Sequence, residues 1–153
     1  LQTGKKVGTP DISIELDIGF IVPDEFFAND IDKIQFYRNL EGIEEIEELY
    51  SVKKSFFAIH GESEDLEKLF LILEARFLLN PFKIHTVKKV LKDYVFDFSG
   101  AKAQDIRNFL ELDPNQNLTV QSIERVRIAK NLFVSDFDFL KKIVSLAKNG
   151  PTK

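Results

Sequence analysis

From Asp11 onward apolar and polar residues alternate, with Ile12, Ile14, Leu16, Ile18, Phe20 and Val22 set against Asp11, Ser13, Glu15, Asp17 and Gly19. Side chains on a strand point to opposite faces in turn, so this spacing predicts a strand over 11–22 with one face buried. Pro23 has no backbone donor and predicts its end. Asn29 or Asp30 then offers an N-cap to a first helix, whose apolar side carries Ile31, Ile34, Tyr37 and Leu40.

A second helix is predicted after Gly42, with Ile43, Ile46, Leu49 and Tyr50 inward and Glu44, Glu45, Glu47 and Glu48 outward. It runs toward Phe56 and Phe57 and stops before Gly61. Ser63 caps a third helix, where Glu64 and Asp65 complement the dipole and Leu66, Leu69, Phe70, Leu73 and Phe77 form the buried stripe. Asn80-Pro81 ends it.

Between Phe82 and Ser99 the pattern predicts a hairpin turning at Lys92-Asp93, with Tyr94, Phe96 and Phe98 opposite Val95 and Asp97. Ala101 to Leu112 reads as a helix on Ile106, Phe109 and Leu110, followed by a loop at Asp113-Pro114-Asn115. Leu118 to Ile128 fits either a bulged strand or a strand followed by a short turn. Ser135 caps a last helix, with Asp136 and Asp138 in its first turn, Leu140, Ile143, Val144 and Ala147 inward, and Gly150-Pro151 as the stop. The sum is an α+β fold: a small, mostly antiparallel sheet flanked by about five helices. One domain is expected over 11–148, with residues 1–10 as linker and 149–153 as tail.

Composition narrows the function. Fifteen Phe, with no Trp and no Met, assign the aromatic volume to the core rather than to a cofactor. A net charge of −4 gives no global attraction to nucleic acid or anionic lipid. The absence of cysteine excludes disulfides and thiol chemistry. No apolar run reaches the ~18 residues of a membrane span, and the N-terminus lacks a signal-peptide core, so a cytoplasmic location is expected. The chain holds no methionine even at position 1, which reads as a domain excised from a longer protein.

No glycine-rich phosphate loop occurs, so no nucleotide is expected to bind here by that route. His60 and His85 lie far apart without metal-ligand spacing. Asp24, Glu25 and Asp97 are the carboxylates an acid-base enzyme would need, but each sits in turn or strand context. The glutamates Glu44, Glu45, Glu47 and Glu48 read as a solvated helix face or, against a basic partner, a docking surface. Lys83, Lys88, Lys89 and Lys92 gather along the hairpin as the alternative, a nucleic-acid-contacting patch.

The stretch Ile21-Val22-Pro23-Asp24-Glu25-Phe26-Phe27, then Asp30, then Phe36-Tyr37-Arg38-Asn39-Leu40, resembles the C-terminal domain of bacterial transcription-repair coupling factors. Leu73-Glu74-Ala75-Arg76-Phe77-Leu78-Leu79 and the glutamate-rich helix are similar to the family in order, over roughly residues 11 to 100. The resemblance marks Pro23, Asp24, Tyr37, Arg38, Leu40 and Arg76 as family-motif positions. It implies a non-catalytic regulatory domain of an ATP-dependent DNA translocase that releases stalled RNA polymerase and recruits excision repair. It further implies packing on the parent's UvrB-like N-terminal module, which masks the UvrA-binding surface. ATP and Mg would belong to the parent, DNA would be met only through it, and no membrane is implied. The family's Glu-Leu-x-Asp-Arg-Phe-Gly between the second and third helices is missing here, where Val52 through Gly61 lack the Asp-Arg pair; Glu44, Glu45, Glu47 and Glu48 are the substitutes to test.

Overall fold

The computed structural model describes residues 9–150, so residues 1–8 of the expected linker and 151–153 of the tail lie outside the described residues. The elements follow in the order β1 (Ser13–Glu15), α1 (Asp30–Glu41), α2 (Ile46–His60), α3 (Glu64–Leu79), β2 (Ile84–Val90), β3 (Asp93–Phe98), α4 (Ala103–Leu110), β4 (Thr119–Ser122), β5 (Arg125–Ala129) and α5 (Asp136–Asn149). The five strands form one sheet in the order β1-β2-β3-β5-β4. Only β1 and β2 run parallel; the other pairs are antiparallel. The fold is α+β, as the alternation of elements predicts.

The chain groups into two compact units, one built on Gly19–Phe77 and the other on Asp11–Ile18 with Leu78 onward. Parallel neighbours need a long crossover, and between β1 and β2 the whole first unit supplies it.

In the first unit Val22, Leu40, Ile43, Leu49, Leu66, Leu69, Phe70 and Leu73 make the core, with Phe26, Phe27, Phe36 and Phe56 half-buried against it. The Asn29 side chain accepts from the Asp32 N–H and starts α1, one of the two caps expected from the sequence. The expected stripe on α1 needs correction, because Ile31 and Ile34 are 75% and 54% exposed. Phe27 and Phe56 capture Phe36, at 5.3 and 4.7 Å between ring centres. That turns Phe36, Tyr37 and Leu40 inward, and at about 100° per residue Ile31 then falls on the opposite side.

In the second unit Tyr94, Phe96 and Phe98 face a layer that includes Phe109 of α4 and Phe139 of α5. Tyr94 stacks on Phe139 at 3.7 Å, and Phe96 meets Phe109 edge-on at 4.8 Å. The predicted strand over 11–22 shrinks to three paired residues, Ser13–Glu15 against Thr86–Lys88. Its alternation nevertheless holds, with Ile12, Ile18 and Val22 buried and the residues between them exposed or half-exposed, because burial rather than pairing sets that pattern.

The β2-β3 turn is Leu91-Lys92, one residue before the expected Lys92-Asp93, with Val90 opposite Asp93. Two-residue hairpins demand positive φ, and Leu91 adopts it at 55°. Val95, expected on the polar face, is buried; Lys88 and Arg127 stand opposite it on either side, long enough to shield it with their aliphatic stems. The ambiguous stretch 118–128 is a second hairpin, β4-β5, and it contains both features left open by the sequence: a register shift between Val120 and Ser122, and a turn at Ile123-Glu124. No helix among the described residues is long and apolar enough to cross a membrane.

Candidate functional site

Between α1 and α2 of the first unit lies an open groove of about 600 Å³. Its floor is apolar: Leu40 and Ile43 are buried, and Phe36, Val52 and Phe56 are half-buried. Its rim is mixed, with Arg38, Asn39, Glu48, Ser51 and Ser55, and Ile59 stands there 75% exposed. Local sequence explains the shape. Leu49, Val52, Phe56 and Ile59 recur at helical spacing on α2, so they form one stripe whose last member outruns the core. Gly42 follows α1 and its N–H closes on the Arg38 carbonyl at 3.0 Å, which lets the chain reverse into the second helix.

An aromatic lattice backs the groove. His60 lies against Phe26 and Phe56, each 4.4 Å between ring centres, a stacking role that needs no metal or catalysis. Lys33 donates to Asp24 at 2.5 Å, tying the turn after Pro23 to α1. The hydroxyl of Tyr50 donates to buried Glu74 at 2.5 Å, joining α2 to α3, and burial pushes the phenol's pKa up.

The four glutamates do not form one helical face. α2 begins at Ile46, so Glu44 and Glu45 precede it, with Glu45 at the N-cap position, while Glu47 and Glu48 fill the first turn. All four are exposed, and none forms an ion pair with another described residue. Their charge complements the helix N-terminus and lies at the mouth of the groove through Glu48.

Of the residues the sequence singled out, the structure brings Arg38, Leu40 and Glu48 to this groove. Pro23 and Asp24 open a single 3-10 turn over Asp24–Phe26, and Tyr37 meets Phe36 edge-on at 5.5 Å. Arg76 of α3 is half-buried, and its Nε is enclosed without an acceptor among the described residues. Val52 to His60, where the family's Asp-Arg pair is missing, are the second half of α2 rather than a connecting loop, with Gly61 as the C-cap.

The carboxylates weighed for catalysis are placed differently. Asp24 and Glu25 lie exposed on the turn. Asp97 joins the sheet's ion pairs, at 2.7 Å from Arg125 and 3.0 Å from Lys88. Burial pushes the Asp97 carboxyl up, but the hydrogen bonds from Arg125 and Lys88 outweigh it and hold the pKa below the usual range. A carboxylate so held stays ionised and is a poor proton shuttle. No group of three or more His, Asp or Glu among the described residues is arranged to hold a metal.

The lysine patch is dispersed as well. Lys88 and Lys89 are neighbours on one strand and so point to opposite faces. Lys88 pairs with Asp97, and Lys89 pairs with Asp17 and Asp136. Asp136 is the polar centre that sequence reasoning missed. It is 8% exposed at the start of α5 and accepts from the Tyr94 hydroxyl at 2.6 Å, the Asp17 N–H at 2.7 Å and Lys89 at 3.1 Å. Burial pushes its carboxyl up, yet these donors hold its pKa below the ordinary value. In the sequence it reads only as a first-turn acid; nothing there announces that a tyrosine 42 residues away will reach it.

An α+β chain with this element order has a solved counterpart. It is similar to a crystal structure of the C-terminal domain of a transcription-repair coupling factor, with a TM-score of 0.70 and 16% identity over 91% of each chain. The family model of the TRCF domain matches residues 16–109. The chain belongs to the TRCF domain family, in agreement with the motifs at Ile21–Leu40 and Leu73–Leu79. No curated protein matches it.

Proposed function

We propose that this domain is a regulatory docking module of a transcription-repair coupling factor and performs no catalysis of its own. The parent is then an ATP-dependent DNA translocase of the cytoplasm, which holds the ATP and Mg, dislodges stalled RNA polymerase and recruits excision repair through UvrA. In the resting state the domain sits on the parent's UvrB-like module and covers the surface UvrA needs. DNA is touched by the parent alone.

The observation that carries this reading is the α1-α2 groove, apolar in its floor and charged at its rim. Such a contact binds by shape and burial while its acidic mouth sets register and remains easy to open, which suits an interaction that must be released. The family match supports the parent's identity. The alternative, a nucleic-acid contact along Lys83 to Lys92, loses its patch because its two central lysines face opposite ways and are ion-paired.

The test adds this chain in trans to a parent lacking the domain and follows ATPase activity and DNA binding. Suppression is expected, and it weakens when Glu44, Glu45, Glu47 and Glu48 are reversed to Lys together. No suppression at concentrations up to ~1 mM, the effective concentration a tether provides, would overturn the masking role.

A further inference from the structure

The sheet has two edges, and they are finished differently. β1 is three residues long, with Glu15 in it and Asp17 close behind. Short length and charge are the usual means of keeping an edge from pairing. β4 is longer, and from Thr119 to Ile123 it has no charge and no proline. Its one irregularity is the register shift between Val120 and Ser122, which increases the local twist. Every residue of β4 is exposed, and so is Ile123 in the turn at 85%.

Beside this edge α4 overhangs an unfilled trough. One hollow of about 350 Å³ is lined by Ile106, Leu110, Val120 and Ile123 among others. A second, of about 810 Å³, shares Leu110 and Val120 with it. Ile106 and Leu110 are only half-buried, although Phe109 beside them is fully covered. Arg107 lines both hollows, bonded to Gln104 at 3.0 Å but paired with no carboxylate among the described residues.

We infer that the β4 edge takes an extended segment of a partner protein as a sixth strand, with apolar residues at alternate positions lying on Ile106, Leu110 and Ile123 and a carboxylate reaching Arg107. A strand is the one occupant that satisfies the edge's backbone donors and acceptors while its alternate side chains fill the trough. The acid is set by Arg107, which forms no ion pair among the described residues although Glu111 and Asp113 line the same hollow, since a bidentate Arg-carboxylate pair gains most beside apolar walls. A second copy of this chain fits less well, because β4 offers no acid between Thr119 and Ile123 to answer Arg107.

The experiment selects random peptides of ~12 residues on the immobilised chain and measures the winners by fluorescence anisotropy. Expected winners alternate apolar residues with period two and include an Asp or Glu. They lose roughly tenfold or more in affinity on Arg107→Glu, and changing the peptide's acid to Lys restores it. Ile123→Lys abolishes binding; Ile59→Asp, in the other groove, leaves it unchanged. Both Arg107 and Ile123 are exposed, so these variants keep the fold. The proposal is overturned by no enrichment over Ile123→Lys, by winners with helical spacing, by indifference to Arg107→Glu, or by sedimentation showing that the chain pairs with itself through β4.

Discussion

Replacing Asp136 with Ala removes one side chain and strands several donors. The Tyr94 hydroxyl loses its acceptor where the residue is 2% exposed, and an unsatisfied buried hydroxyl costs about 1–3 kcal/mol. The half-buried Asp17 N–H loses its partner too, for about 0.5–1.5 kcal/mol, and the first turn of α5 loses an acid worth about 0.3–1 kcal/mol. The expected loss is about 3 kcal/mol, a large share of the ~5–15 kcal/mol that holds a domain together. Tyr94→Phe keeps the stack on Phe139 and leaves Asp136 two other donors, so it costs about 1 kcal/mol. Urea unfolding measures both: with a slope of ~1–3 kcal/mol/M, Asp136→Ala moves the midpoint down by roughly 1–3 M. The double variant should then show a coupling of about 1 kcal/mol. Strictly additive losses, or a loss below about 1 kcal/mol for Asp136→Ala, would refute the view that this carboxylate is the hub of the second unit.

The same carboxylate and Asp97 both have folded pKa values below their unfolded ones, so their stabilisation is present above the ordinary carboxylate pKa of ~3.9 and is lost as pH falls through the lower folded value. Unfolding followed by circular dichroism should therefore show stability dropping as pH falls below ~4, with a smaller drop in Asp136→Asn. Phe109→Ala empties a fully buried site that touches Phe82, Phe96 and Phe98, and a loss of about 3–5 kcal/mol is expected by the same urea assay. Gly61→Ala should cost about 1–3 kcal/mol in thermal unfolding although nothing crowds the position, because φ there is 83° with ψ at 163°. Ile59→Asp should change stability by less than about 0.5 kcal/mol while weakening suppression of the parent in trans.

Much of the fold is written in local pattern. Asn29, Ser63 and Ser135 sit before their helices in the sequence, and each accepts from a backbone N–H of the first turn. The alternation of 11–22 survives as burial even where the ladder does not. What local pattern cannot supply is rotation and partnership. Ile31 and Ile34 look inward by spacing, but Phe27 and Phe56, contributed by other segments, decide that Phe36 is the residue turned in. The length of β1 depends on where β2 runs beside it, and the depth of Val95 depends on Lys88 and Arg127 across two strands. Each of these is a long-range fact, and each error falls where a tertiary neighbour outvotes the residue's own period.

The functional surface divides along the same line. The acidic run and the motif residues were visible as residue types, yet the groove exists only because α1 and α2 reverse at Gly42 and leave the Val52-Phe56-Ile59 stripe longer than the core it serves. An apolar stripe that outruns its core costs solubility in isolation, and this one ends at Ile59, at the opposite end of α2 from the acidic entry formed by Glu44, Glu45, Glu47 and Glu48. The buried polar centres obey the opposite logic. Glu74 accepts from Tyr50, and Asp136 accepts from Tyr94, Asp17 and Lys89, donors of their own units that fix them in place. Charge compensated within a unit holds the fold, whereas Glu48 in one unit and Arg107 in the other stand beside apolar surface and form no ion pair among the described residues.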